Sequence, residues 1–66
     1  MKNNIKELRS QKNLTRKDLA DAVDVSRQMI SYIENGDKKP NLILAMKLAE
    51  FFEVPVSKLF ILEKSD

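Results

Sequence analysis

The stretch LTRKDLADAVDVSRQMISYIENG, Leu14 to Gly36, holds two apolar stripes at helical spacing with a break of two or three residues between them. Leu19, Ala20 and Val23 recur at the intervals that place side chains on one helix face, and Ile30 and Ile33 do the same after the break. Thr15 opens the first of these helices. Its hydroxyl suits an orphan amide hydrogen, and Asp18 three residues on completes a capping-box pattern, with Asp where Glu or Gln is usual. Ser26 caps the second helix, and Gly36 ends it at a position suited to positive φ. So short a connection makes the two helices, Arg16–Val23 and Ser26–Asn35, cross steeply. The crossing needs a small residue where the axes come closest, and Ala20 supplies it. Leu19, Val23, Val25, Ile30 and Ile33 then wedge the pair against a core.

Working outward, Asn3 or Asn4 can cap a first helix that runs to about Lys12 with Ile5 and Leu8 inward. Asn41, just after Pro40, caps a fourth helix to about Phe52, with Leu44, Ala45, Leu48, Ala49 and Phe52 on one face. Pro55 begins a short fifth helix ending at Leu59 or Phe60. Five helices with short connections predict an all-α bundle over residues 1–66, a single domain without repeats or linkers. The apolar run Phe60-Ile61-Leu62 lies past the last helix and should not stay in water. It can pair as a short strand with Met1–Asn3 or with its counterpart in a second chain.

Sixty-six residues allow one small core, and chains of this size gain support from disulfides, metals, regular helix packing or a second copy of themselves. Absent cysteines remove disulfides and thiolate metal sites, and fit a reducing compartment. Histidine is absent too. Regular packing and dimerisation remain. Catalysis would fall to Asp, Glu, Lys or Tyr in a domain too small for much of a pocket, with one glycine and no phosphate-binding loop, so an enzyme is not expected. Neither a cofactor nor a small-molecule ligand is implied. The start MKNNIKELRS has no apolar run of seven residues, and the stretch from Leu42 to Phe52 is too short for a bilayer; a soluble cytoplasmic protein without a membrane partner is expected.

Charge is uneven. Residues 1–39 carry nine Lys/Arg against six Asp/Glu, a balance of +3, whereas residues 40–66 carry three against four, or −1. The asymmetry points weakly to an anionic partner for the N-terminal half. The outer face of the helix after Ser26 presents Arg27, Gln28, Ser31, Tyr32 and Asn35, all able to hydrogen-bond to base edges or phosphates. On composition alone these are ordinary solvated residues on a polar helix face.

The segments LADAV, VSRQMIS and IENG, followed by a helix opening Pro40-Asn41-Leu42, resemble the Cro/repressor-type helix-turn-helix regulators, the XRE family. The likeness runs from Leu14 to Gly36 and from Lys39 to Phe60, and with Ile5 to Arg9 covers nearly the whole chain. It implies a five-helix, lambda-repressor-like domain with the helix-turn-helix at about residues 16–35, usually dimeric and bound to a palindromic double-stranded DNA operator. Carried over by position, Arg27, Gln28 and Tyr32 fall where family members contact bases, with Ser31 adjacent. Thr15, Arg16, Asn35, Lys38 and Lys39 fall where they touch phosphates, and Ser26 joins that set. Arg9 and Glu34 fall on an internal ion bridge between the first and third helices. Asp24 departs from the pattern, because it takes the turn position that is most often Gly.

The expectation is a DNA-binding regulator, most simply a repressor. The alternative is a protein-interaction module on the same fold, such as an antitoxin or an antagonist of another regulator. Ile43, Met46 and Phe51 lie off the inner stripe of the fourth helix and, with the tail at Phe60–Leu62, are the candidate surfaces for a homodimer.

Overall fold

The computed structural model describes residues 1–63; the last three residues of the expected 1–66 domain lie outside the described residues. The chain runs β1 (Lys2–Asn3), α1 (Ile5–Gln11), α2 (Arg16–Val23), α3 (Arg27–Glu34), α4 (Leu42–Phe52), α5 (Val56–Leu59) and β2 (Phe60–Ile61).

Local chemistry accounts for each boundary. Thr15 Oγ1 accepts the Asp18 amide hydrogen at 3.0 Å and Asp18 Oδ2 accepts that of Thr15 at 3.0 Å, so both halves of the capping box are made. Ser26 Oγ accepts from Met29 at 3.1 Å and Asn41 Oδ1 from Leu44 at 2.8 Å. At α1 the two asparagines divide the work. Asn3 Oδ1 accepts from the Ile5 amide at 3.2 Å, while Asn4 makes no cap and instead donates through Nδ2 to the Lys58 carbonyl at 2.9 Å.

Four helices end through a left-handed residue; at α1 and α3 these are Asn13 and Gly36 (φ 80°), with the Leu14 amide donating to Arg9 O and the Asp37 amide to Tyr32 O. Asp24 closes α2 at φ 62° with the Val25 amide donating to Ala20 O, and Glu53 closes α4 at φ 57° with the Val54 amide donating to Ala49 O. That six-residue ring satisfies carbonyls the helix end would orphan. The left-handed backbone at Asp24 is what its usual Gly occupant anticipates. That at Glu53, and at Asn13 after α1 (φ 56°), has no comparable mark in the sequence.

The core is one cluster. Ile5, Leu19, Ile30, Ile33, Leu48 and Leu59 are buried to within 1% of completely, and truncating any of them to Ala costs about 2–5 kcal/mol. Ala20 of α2 is also buried, 1% exposed. The inner stripe of α4 is also buried, from Leu44 to Phe52, and Leu8 and Val25 pack half-buried on the cluster. Phe51 differs from the outward placement expected of it: it packs on this core, its ring edge-on to Phe52 with centroids 5.2 Å apart.

Of the two pairings open to the C-terminal run, the structure has the one within the chain. β2 runs antiparallel to β1, Lys2 opposite Ile61 and Asn3 opposite Phe60. Asn3 extends the clasp, its Nδ2 donating to the Ile33 carbonyl at 2.8 Å. The strand pair thus ties the end of α3 to α5.

Candidate nucleic-acid interface

Helix α3 buries Ile30 and Ile33 and turns its other side outward: Arg27, Gln28 and Asn35 are exposed, Ser31 and Tyr32 half-buried. The Ser26 cap and the burial of Ile30 and Ile33 fix that rotation. Beside α3 an open cleft of about 950 Å³ runs to the α1–α2 connection. It gathers Thr15, Arg16 and Lys17 on one wall and Arg27, Gln28 and Ser31 on the other, with Arg9 and Leu14 also lining it.

Beneath this cleft lies a charge cluster. Glu34, its side chain 2% exposed, receives Arg9 Nε at 2.8 Å and Arg16 Nε at 2.9 Å. Arg9 is 15% exposed and Arg16 42%. Arg9 also donates through Nη1 to the Leu14 carbonyl at 3.0 Å, which holds the α1–α2 connection against α3. Burial pushes the Glu34 carboxyl upward, but the hydrogen bonds and positive charges of Arg9 and Arg16 outweigh it and leave the group below its ordinary value. The Asp18 carboxyl is likewise lowered, by the backbone and side-chain hydrogen bonds of Thr15 at the α2 cap.

Arg16, which the family resemblance puts among the phosphate contacts, is also the second guanidinium on Glu34, with its side chain still 42% exposed. Sequence offered a weak sign of this: Arg16 follows the Thr15 cap and Glu34 ends α3, but nothing in spacing alone tells which arginines converge. The other candidates split into groups. Tyr32 and Lys38 meet each other, with Lys38 Nζ 4.9 Å from the ring centroid, and Gln28 Nε2 donates to Tyr32 Oη at 2.8 Å. Asn35 lies in a separate recess with Asn3 and Gly36, and Ser26 in another beside Asp24, Ile43 and Lys47. Asp24 therefore lines a different recess from the cationic cleft. Lys39 is exposed and does not line the cleft.

A second surface is apolar. Leu42 (73% exposed), Val56, Ile61 and Leu62 line a groove with Met1 and Pro40. Sequence reading named Ile61 and Leu62 but passed over Leu42 and Val56, although the four-residue spacing of Leu42 and Met46 places them together off the inner stripe. No helix among the described residues is long and apolar enough to cross a membrane, and none of their acidic side chains cluster as a metal site.

Two short helices joined by a three-residue turn, with the second turning a polar side outward, define a helix-turn-helix protein. Residues 5–59 match the helix-turn-helix family. The chain is 47% identical over the full length of both proteins to an uncharacterized HTH-type transcriptional regulator of Methanocaldococcus jannaschii, and 38%, again over both full lengths, to the HTH-type transcriptional regulator YgzD of Bacillus subtilis. Its fold is similar to the crystal structure of the restriction-modification controller protein C.AhdI from Aeromonas hydrophila, with a TM-score of 0.76, 28% identity and 85% of each chain covered. The chain belongs to the XRE-type helix-turn-helix family of DNA-binding transcriptional regulators.

Proposed function

We propose that this regulator binds a palindromic operator as a homodimer through one domain spanning residues 1–66, reads each half-site with α3 and represses by occupying the site. The observation that carries the reading is the exposure of Arg27 and Gln28 on a helix whose opposite side, Ile30 and Ile33, is sealed in the core. In this reading Gln28 addresses adenine and Arg27 addresses guanine or a phosphate, with Ser31 and Tyr32 beside them. Thr15, Arg16, Ser26, Asn35, Lys38 and Lys39 hold the phosphate backbone. Arg16 does so with its terminal nitrogens, since its Nε is bound to Glu34.

The exposed apolar groove at Leu42, Val56, Ile61 and Leu62 supports dimerisation, because an apolar surface of this kind on so small a protein is better covered than wetted. Two copies would then set their α3 helices on half-sites about 34 Å apart. That C.AhdI is a restriction-modification controller protein supports a regulatory role for a chain of this fold.

The test is an anisotropy titration of the whole protein against duplexes selected from random sequence, at two salt concentrations. Selective binding that weakens steeply with salt supports the proposal. Gln28→Ala should then weaken the selected duplex by about 1–3 kcal/mol and relax preference at one base pair. Binding absent at both salts favours the protein-interaction alternative, in which the same fold holds another regulator.

A further inference from the structure

Gln28 is not a free side chain. One of the two hydrogens on its Nε2 is directed to Tyr32 Oη, 2.8 Å away and one helical turn further along α3. Tyr32 is itself held twice over. Its ring carries the Lys38 ammonium 4.9 Å from the centroid. Its backbone carbonyl accepts the amides of Asp37 at 2.8 Å and of Lys38 at 3.3 Å, so the segment that brings Lys38 back over the ring is pinned to the same residue. The chain of restraint runs from loop to ring to hydroxyl to amide.

A glutamine amide can be turned two ways, and the choice decides what it reads. With Nε2 toward Tyr32, the amide keeps Oε1 as an acceptor and one N–H as a donor. That pair matches adenine, whose major-groove edge offers an N6 donor beside the N7 acceptor. With the amide reversed, Oε1 is taken up by the tyrosine hydroxyl and both remaining hydrogens face outward. Two donors match guanine, whose edge offers two acceptors at N7 and O6.

We propose that Tyr32 is a positioning residue that fixes the Gln28 amide in its adenine-reading orientation, with Lys38 seating the tyrosine ring. This rests on the DNA-reading function proposed above, and it assigns Tyr32 a different task from touching a base itself. Holding the amide before DNA arrives also lowers the ordering cost of the contact, since a free glutamine must lose rotamer freedom on binding.

The experiment compares wild type, Tyr32→Phe, Gln28→Ala and the double variant on duplexes selected by the wild type, each with one base pair changed in turn. Tyr32→Phe keeps the ring and the Lys38 contact and removes only the hydroxyl; a melting temperature near that of wild type verifies the fold. Wild type is expected to prefer adenine over guanine about tenfold or more at the base pair whose readout Gln28→Ala abolishes. Tyr32→Phe should reduce that preference to about threefold or less, at that base pair alone, with the salt dependence unchanged. In the Gln28→Ala background Tyr32→Phe should change nothing further there.

Three results overturn the proposal while leaving DNA reading intact: full adenine preference in Tyr32→Phe, loss of preference at a different base pair from Gln28→Ala, or a wild-type preference for guanine at the Gln28 position. Failure of the wild type to bind any duplex in a salt-sensitive way instead overturns the reading on which it rests.

Discussion

Helix α3 begins where the Ser26 hydroxyl accepts the Met29 amide, and α4 begins in the same manner, with Asn41 accepting from Leu44. Both turn branched or long aliphatic side chains inward, Ile30 and Ile33 from one and Leu44 and Leu48 from the other, and they share a single core. On the outside they part. The outer face of α3 is Arg27, Gln28, Ser31 and Tyr32, whereas α4 exposes Leu42, Ile43 and Met46, each more than half open to solvent. The inner faces of the two helices are interchangeable in kind and make the fold; the outer faces are not, and they divide the work. Hydrogen-bonding groups on α3 suit base edges and phosphates, and an apolar surface on and beside α4 suits another protein surface.

The difference can be broken most forcefully from below, at Glu34. Its carboxylate is the shared partner of Arg9 and Arg16, and it holds α3 to α1 and to the start of α2. Replacing it with Gln leaves two guanidiniums without their counter-charge, one of them almost buried. A cost of about 3 kcal/mol is expected, which in a domain this small lowers the melting temperature by more than about 10 °C. The sign of the pH effect follows from the lowered folded pKa. The contribution of Glu34 is full above its ordinary value of 4.5 and is lost as pH falls through the lower, folded one. Thermal melts between pH 7 and pH 3 should therefore show a steeper acid loss for wild type than for Glu34→Gln. Parallel curves would mean the cluster is not what holds the two helices together.

The apolar side is tested at Leu42. Its side chain is 73% exposed in the single chain, so Leu42→Lys should leave the monomer folded. If the groove it lines is the dimer surface, a charge there should weaken self-association by about 2 kcal/mol or more, roughly thirtyfold. Sedimentation equilibrium reads this directly. Operator affinity should fall in step while the base preferences of each half-site persist, which separates the two faces cleanly. An unchanged dimer would move the interface to the Ile43 side of α4.

Much of this division was legible beforehand. The inner stripes of α2, α3 and α4 could be read because burial imposes a period that chain composition cannot hide: Leu19, Ala20 and Val23, or Leu44, Ala45 and Leu48, have no other economical arrangement. The caps at Thr15, Ser26 and Asn41 were equally plain, since each is a short polar side chain placed where amides are orphaned. Outer positions obey no such rule. Phe51 and Leu42 are both apolar and both off the inner stripe, yet Phe51 folds back onto Phe52 and the core while Leu42 stays out. Which way each turns depends on neighbours distant in sequence. The same holds for Arg16, drawn to Glu34 from eighteen residues away, and for the hydrogen bond between Gln28 and Tyr32, whose spacing permits contact without requiring it.

The smallest effect compares two helix ends. Asp24 in the reading half and Glu53 in the apolar half both adopt left-handed backbone, at φ 62° and 57°, and both close a helix through the same six-residue ring. A non-glycine residue there bears a steric cost of about 1–2 kcal/mol, and Asp tolerates the region better than Glu. Against this, glycine adds freedom to the unfolded chain worth about 0.4–1 kcal/mol. Asp24→Gly should thus stabilise by about 0.5 kcal/mol and Glu53→Gly by about 1 kcal/mol, read as midpoint shifts in urea at constant slope. Should Asp24→Gly instead destabilise, the carboxylate is contributing to the α2–α3 turn something beyond occupancy of its backbone angle. The placement of α3 on α2 would then depend on that carboxylate as well as on the buried apolar contacts.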